Sequence, residues 1–161
     1  MARLLVVHHS PTRATQRLTD QVVAGAHDDE ITGVEVEVVA ALDAELASAE
    51  RADGFLLGTS ANFGYMSGAL KHFFDQHFLA LGGALSDDGS GAPTSGGRKP
   101  YGLWVHGRYD TTGAVRSVQA IVGALPWRQA SEVLEVLGDV GEEELEAAYE
   151  LGGTIAALLA D

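Results

Sequence analysis

The segment Leu4-Leu5-Val6-Val7-His8-His9-Ser10-Pro11-Thr12-Arg13-Ala14-Thr15 decides the fold. Four apolar residues in a row, without alternation and stopped by a polar turn, read as a short strand buried on both faces. Beyond the turn, Ala14, Leu18, Val22 and Ala26 recur at helical spacing, and Thr12 stands where an N-cap residue belongs. A helix over 13–26 is therefore expected directly after the strand.

Outward from this segment the same alternation repeats. Val34-Glu35-Val36-Glu37-Val38 alternates strictly, the pattern of a strand with one wet face at a sheet edge. A short helical stretch over 44–49 leads to the apolar run Gly54-Phe55-Leu56-Leu57-Gly58, and a helix is expected over 67–79. Further strands are expected at 101–105 and 130–137. Helices are expected over 114–123 and 142–159, the last acidic at its start and apolar toward its end. Residues 82–97 carry Gly, Ser, Asp and Pro93 with no apolar period and read as a mobile loop. Five strand–helix alternations predict a doubly wound, three-layer α/β/α sandwich with a parallel sheet and right-handed crossovers. In such sheets ligands sit beyond the carboxyl ends of the strands, so the loops after the first, third and fourth strands are the functional candidates.

Composition narrows the class of partner. The 161 residues are 46% hydrophobic and 20% charged, the mixture of one globular domain spanning 1–161. Ten Lys+Arg against 23 Asp+Glu give a formal charge of −13, whose field repels nucleic acid and anionic membrane surfaces. Such a surface serves solubility, or docking onto a basic protein partner. Cysteine is absent, which removes disulfides, thiol catalysis and thiolate metal sites together. No apolar run approaches a signal-peptide core or a membrane span, and a cytoplasmic protein is expected. His8 and His9 are adjacent on a strand and should face opposite ways, while His72 and His77 miss the i, i+4 spacing; no metal site is expected.

The turn after the first strand places the hydroxyls of Ser10, Thr12 and Thr15 at the positive end of a helix, where they and the backbone N–H groups suit a phosphate. The same residues also suit plain N-capping. Neither G-x-G-x-x-G at this turn nor G-x-x-x-x-G-K-[ST] anywhere is present. After the third strand, Gly58-Thr59-Ser60-Ala61-Asn62-Phe63-Gly64-Tyr65-Met66-Ser67-Gly68 mixes small residues with two aromatics and an amide. Backbone can approach a flat ligand there, and aromatic faces can hold it.

Ser10-x-Thr12-x-x-Thr15, with Asn62-Phe63-Gly64-x-Met66-Ser67-Gly68-x-x-Lys71-x-Phe73-x-Asp75-Gln76, resembles the flavodoxin-like superfamily. It is most similar to the branch of FMN-dependent NAD(P)H:quinone oxidoreductases and NADPH-dependent FMN reductases. The resemblance covers nearly the whole chain and implies a five-stranded parallel sheet of order 2-1-3-4-5. It also implies FMN as cofactor, NADPH or NADH as electron donor, and a quinone or similar small acceptor. By it, Ser10, Thr12, Arg13, Ala14, Thr15 and Gln16 would hold the FMN phosphate, and Ser60, Ala61, Asn62, Phe63, Gly64 and Tyr65 would border the isoalloxazine and ribityl chain. The loop His106-Gly107-Arg108-Tyr109-Asp110-Thr111-Thr112-Gly113 would meet the pyrimidine side of the ring. His106, Gly107, Tyr109 and Gly113 are the candidates there, with His106 and Tyr109 the polar partners nearest the chemistry. Arg13 stands where many relatives have Gly, and adds charge to the phosphate turn or points into solvent.

Other chemistry fits less well. Gly58-Thr59-Ser60-Ala61-Asn62 lacks the closing Gly of a nucleophile elbow. A phosphoacceptor domain wants acids where His8 and His9 stand. Three roles share one cofactor: a reductase, a carrier docking on protein redox partners, and a regulatory flavin domain. The apolar helix surface around Phe74 and Phe78 suits either the core or a homodimer.

Overall fold

The computed structural model describes residues 1–83, 88–90 and 98–160. The chain runs β1 (Ala2–His8), α1 (Arg13–Ala26), β2 (Val34–Ala40), a 3-10 turn (Ala41–Asp43), α2 (Leu46–Arg51), β3 (Gly54–Asn62), β4 (Tyr65–Met66), α3 (Gly68–His77), β5 (Lys99–Gly107), α4 (Thr112–Val122), β6 (Trp127–Gln129), β7 (Leu134–Leu137) and α5 (Glu142–Leu159).

The sheet has the order β2-β1-β3-β5-β6, with β7 also on β5, and these pairings are all parallel. Leu4 to Val7 are shut off from solvent on both faces, as the unbroken apolar run requires. Leu4 and Val6 face a layer formed by Leu18 and Val22 of α1 with Leu151 and Ile155 of α5. Leu5 and Val7 face the opposite layer, with Leu70 and Phe73 of α3 and Val118 of α4. β2 is the edge strand, with Glu35 and Glu37 exposed. The expected three-layer α/β/α architecture is therefore present.

Several boundaries differ from the sequence reading, most by one or two residues at an end. The last sheet position is not one strand over 130–137 but β6 and β7. Between Tyr101 and Trp104 of β5, the facing chain runs from Gln129 to Leu134, so surplus residues loop out and divide the strand. β6 begins at Trp127 because its ring stacks on Phe55, centroids 3.9 Å apart. β3 continues beyond Gly58 to Asn62 and folds back as a hairpin with β4. The helices expected over 67–79 and 114–123 are Gly68–His77 and Thr112–Val122. Of the loop expected over 82–97, residues 84–87 and 91–97 lie outside the described residues. Phe74 is buried in the core and Phe78 packs against it. Among the described residues, no helix is long and apolar enough to cross a membrane.

The layer of α1 and α5 depends on backbone contact. A Cβ on Gly25 would lie 1.9 Å from the Tyr149 carbonyl oxygen, and one on Gly152 would lie 1.9 Å from that of Val22. At Gly153 the nearest atom is 3.4 Å away, an ordinary contact. Gly152→Ala should therefore cost about 1–3 kcal/mol by forcing the helices apart. Gly153→Ala should be neutral or stabilise by up to about 1 kcal/mol through helix propensity. Urea unfolding of the two variants reads this contrast, and equal losses would refute it.

Candidate functional site at the carboxyl edge of the sheet

β1, β3 and β5 end side by side, with His8 level with Gly58 and Ser60 level with His106. Three loops therefore leave one edge of the sheet: 9–12, the 63–64 turn, and 108–111.

In the first loop Thr12 is the N-cap of α1 and closes a capping box with Thr15. The Thr15 N–H donates to Thr12 Oγ1 at 3.2 Å, and Thr15 Oγ1 accepts the Thr12 N–H at 3.0 Å. Capping thus uses Thr12 and the buried Thr15, while the N–H groups of Arg13 and Ala14 have no partner within the helix. The first turn holds no acidic residue. Gln16 Nε2 donates to the Ser10 carbonyl at 3.3 Å and braces the loop.

Ser10 Oγ lies 2.8 Å from His8 Nδ1 and 2.7 Å from the buried Thr19 Oγ1, a hydrogen-bonded chain running under the loop. Burial pushes His8 below the ordinary histidine value; His9 adds to this and Asp20 opposes it.

The second loop is a tight hairpin in which Asn62 pairs with Tyr65 and Ala61 with Met66. Phe63 (φ 50°) and Gly64 (φ 78°) have the φ signs of a type I′ turn. Phe63 is the only non-glycine with positive φ among the described residues, and its ring is fully exposed. The hairpin is anchored at its base, where the Ser67 N–H donates to the buried Thr59 Oγ1 at 2.9 Å. Ser60 Oγ donates to Asn62 Oδ1 at 2.9 Å, which orients that amide.

The third loop carries Tyr109, 89% exposed. It is shaped by Asp110, whose Oδ1 accepts the Thr112 N–H at 3.0 Å. That backbone hydrogen bond holds the Asp110 carboxyl below the usual carboxylate value. A Cβ on Gly113 would sit 1.8 Å from the Gly64 carbonyl oxygen, so hairpin and helix α4 meet backbone to backbone at this point. Gly107 is less confined but still tight, with Ala61 Cβ at 3.0 Å from its would-be Cβ.

Two clefts open on this edge. The first, about 300 Å³, lies between the hairpin and the third loop and is lined by Ala61, Phe63, Gly64, Arg108, Tyr109 and Asp110. The second, about 450 Å³, lies between the start of α1 and the loop after β7. Phe63, Gly64 and Tyr109 meet at the first cleft, as their sequence positions suggest. His106 faces the second: its Nε2 lies 2.7 Å from the Gly138 carbonyl oxygen. Arg17, Arg108 and the 138–140 loop were not singled out from sequence, although Arg17 stands one helical turn beyond Arg13.

No family model and no curated protein matches the sequence. Solved structures do match it. Its fold is flavodoxin-like, with the five-position sheet in the expected order. A flavodoxin from the domain Archaea superimposes with a TM-score of 0.78 at 17% identity, with 98% of each chain covered. Oxidised flavodoxin 1 from Bacillus cereus gives 0.76 at 18% identity, covering 99% of this chain and 100% of that one. A WrbA-like flavodoxin protein from Agrobacterium tumefaciens gives 0.71 at 18%, covering 99% and 98%.

Two stability predictions follow from this geometry. Phe63→Asn relieves the left-handed strain and removes almost no buried surface, so thermal or urea unfolding should show a gain of about 0.5–1 kcal/mol; a loss would mean that Phe63 packs in solution. Because folded His8 takes up its proton less readily than the unfolded chain, its contribution is neutral above the ordinary histidine value. Stability then falls as pH drops through that value toward the lowered one. Unfolding measured from pH 8 to 5 should show a shallower decline for His8→Asn than for the parent, and parallel curves would refute the assignment.

Proposed function

We propose that the chain binds FMN and passes electrons from NADPH or NADH through the flavin to a quinone or similar small acceptor. The observation that carries this reading is the pair of aromatic side chains held out at the first cleft, Phe63 on strained backbone and Tyr109 on the facing loop. An exposed aromatic on left-handed backbone is costly in the free protein, and a flat ring seated against it offsets that cost by stacking.

The remaining residues fit the cofactor. The free Arg13 and Ala14 N–H groups suit a phosphate at the positive end of α1, and the Ser10 hydroxyl, tied to His8 and Thr19, props the turn from beneath. Thr12 and Thr15 hold that turn in shape, and Gln16 braces it. Gly64, Gly107 and Gly113 keep side chains out of the space beside the ring cleft. Ser60 fixes the Asn62 amide, and Tyr65 pairs with Asn62 across the hairpin. When bound, FMN would supply the two-electron redox chemistry between the nicotinamide and the acceptor. The chain itself binds, orients and shields, so no side-chain nucleophile is called for. His106 acts from the second cleft by holding the Gly138 loop.

A second reading, an electron carrier docking on basic protein partners, is favoured by the −13 charge and by the flavodoxins among the structural neighbours. One anaerobic experiment separates the two. The purified protein is loaded with FMN, its flavin spectrum recorded, and NADPH or NADH added with a soluble quinone. FMN binding, with bleaching and turnover, is expected; Phe63→Ala and Tyr109→Ala should each weaken FMN by about tenfold. Tight FMN binding without reduction by either nucleotide would point to the carrier. Failure to bind FMN would overturn the flavin reading as a whole.

A further inference from the structure

His8 closes β1 on the face that carries Leu4 and Val6, beneath the turn that heads α1. Its Nδ1 lies 2.8 Å from Ser10 Oγ, which in turn lies 2.7 Å from Thr19 Oγ1. His8 and Ser10 are half-buried and Thr19 is buried. We propose that His8 is a proton-linked positioning residue for this turn: binding of a phosphate there takes up a proton at His8, so the site holds a phosphate-bearing ligand more tightly as pH falls. That the ligand is FMN rests on the function proposed above; the proton linkage rests on the hydrogen-bonded chain.

Counting protons gives the mechanism. A hydroxyl has one proton to donate. While His8 is neutral and its Nδ1 accepts, the Ser10 proton goes to the ring and Ser10 Oγ accepts from Thr19 in return. Once His8 is charged, both ring nitrogens are donors, so Nδ1–H donates to Ser10 Oγ and the Ser10 proton is released for another acceptor. The turn then carries a hydroxyl donor in addition to the free Arg13 and Ala14 N–H groups, with a positive charge beneath it. Both changes favour an anion, and both vanish when the ring loses its proton.

The surroundings hold His8 neutral near neutral pH in the ligand-free protein. Burial lowers its proton affinity most, the adjacent His9 adds to this, and Asp20 of α1 opposes it. From β2 and β3, Ala40 and Gly58 stand level with it and bring no charge. Arg17 of α1 is held at the Val140 carbonyl, its Nη1 donating at 3.0 Å. A phosphate bound above the ring adds the negative charge that this setting lacks and raises the proton affinity of His8. By linkage, ligand affinity rises as pH falls through the window between the lowered free value and the higher bound one, and is independent of His8 above that window.

The test follows the His8 ring by NMR in the parent protein, titrated first in chloride and then loaded with FMN; His8 should lose its proton at higher pH in the loaded protein. FMN affinity, read from flavin fluorescence, should agree: the ratio of parent to His8→Asn affinity should rise about tenfold from pH 8 to pH 5. Taking the ratio cancels the second ionisation of the phosphate itself, which falls in the same range. Ser10→Ala should flatten the profile as His8→Asn does, and His9→Gln should leave it in place. A purely structural His8 weakens FMN equally at every pH; a constant ratio with the NMR titration unmoved overturns the inference and leaves the flavin reading standing. A full pH dependence surviving in Ser10→Ala overturns it too. If FMN does not bind, the flavin reading falls, and the NMR titration is repeated in inorganic phosphate at the same ionic strength as the chloride. A higher His8 titration there keeps the proton-linked anion turn, and an unchanged one removes it.

Discussion

Parallel pairing of β1, β3 and β5 is the constraint on which the rest depends. Every strand of a parallel sheet ends on the same edge, and every following helix starts there, so the positive ends of α1 and α4 and three loops are collected in one place. The same pairing dictates the central sequence. Strands covered by helices on both faces must be apolar without alternation, as Leu4–Val7 and Phe55–Leu57 are. Polar residues can reappear only where the strands run out from under the helices, and it is there that His8, Ser60 and His106 stand.

Close backbone approach is used twice, once for the scaffold and once for the site. Gly25 and Gly152 let α1 and α5 touch carbonyl to Cα, which fixes where the head of α1 and its hydroxyl-bearing turn sit. Gly113 against Gly64 does the same for the hairpin and α4, locking the two walls of the ring cleft together. The aromatic at φ 50° is tolerated because Thr59, Gly113 and the two hairpin pairs over-determine the turn around it.

The order of elements was legible because periodicity is a local property: the apolar run of β1, the alternation of β2 and the helical spacing of α1 each sit within a dozen residues. The edges of elements decided by partners far along the chain were not. Trp127-Arg128-Gln129 has no strand pattern of its own and becomes β6 only because Trp127 finds Phe55 and the 127–129 segment finds β5. Asn62-Phe63-Gly64-Tyr65 lacks the Asn-Gly pair that announces a type I′ turn, so the sequence shows only a turn between strand and helix and not the hairpin. Of the site, Phe63, Gly64 and Tyr109 meet as their positions suggest. His106 was assigned to the ring side, but strand alternation gives it the same face as Trp104, toward α1 and α5, and so the second cleft.

Charge placement distinguishes the two functional readings better than the fold does, since a carrier and a reductase share the same sheet and the same loops. A carrier that recognises basic partners wants an unbroken acidic rim around its exposed flavin edge. Here Arg108 forms one wall of the ring cleft, and two more guanidiniums lie beyond it in the neighbouring cleft. Cations so placed oppose a basic protein docking on that side while they attract a small phosphorylated molecule from an otherwise repulsive field. The net charge of −13 argues for the carrier only if it is spread evenly. Concentrating three of ten cationic side chains beside the cleft breaks that evenness and opposes the docking of a basic surface on that side.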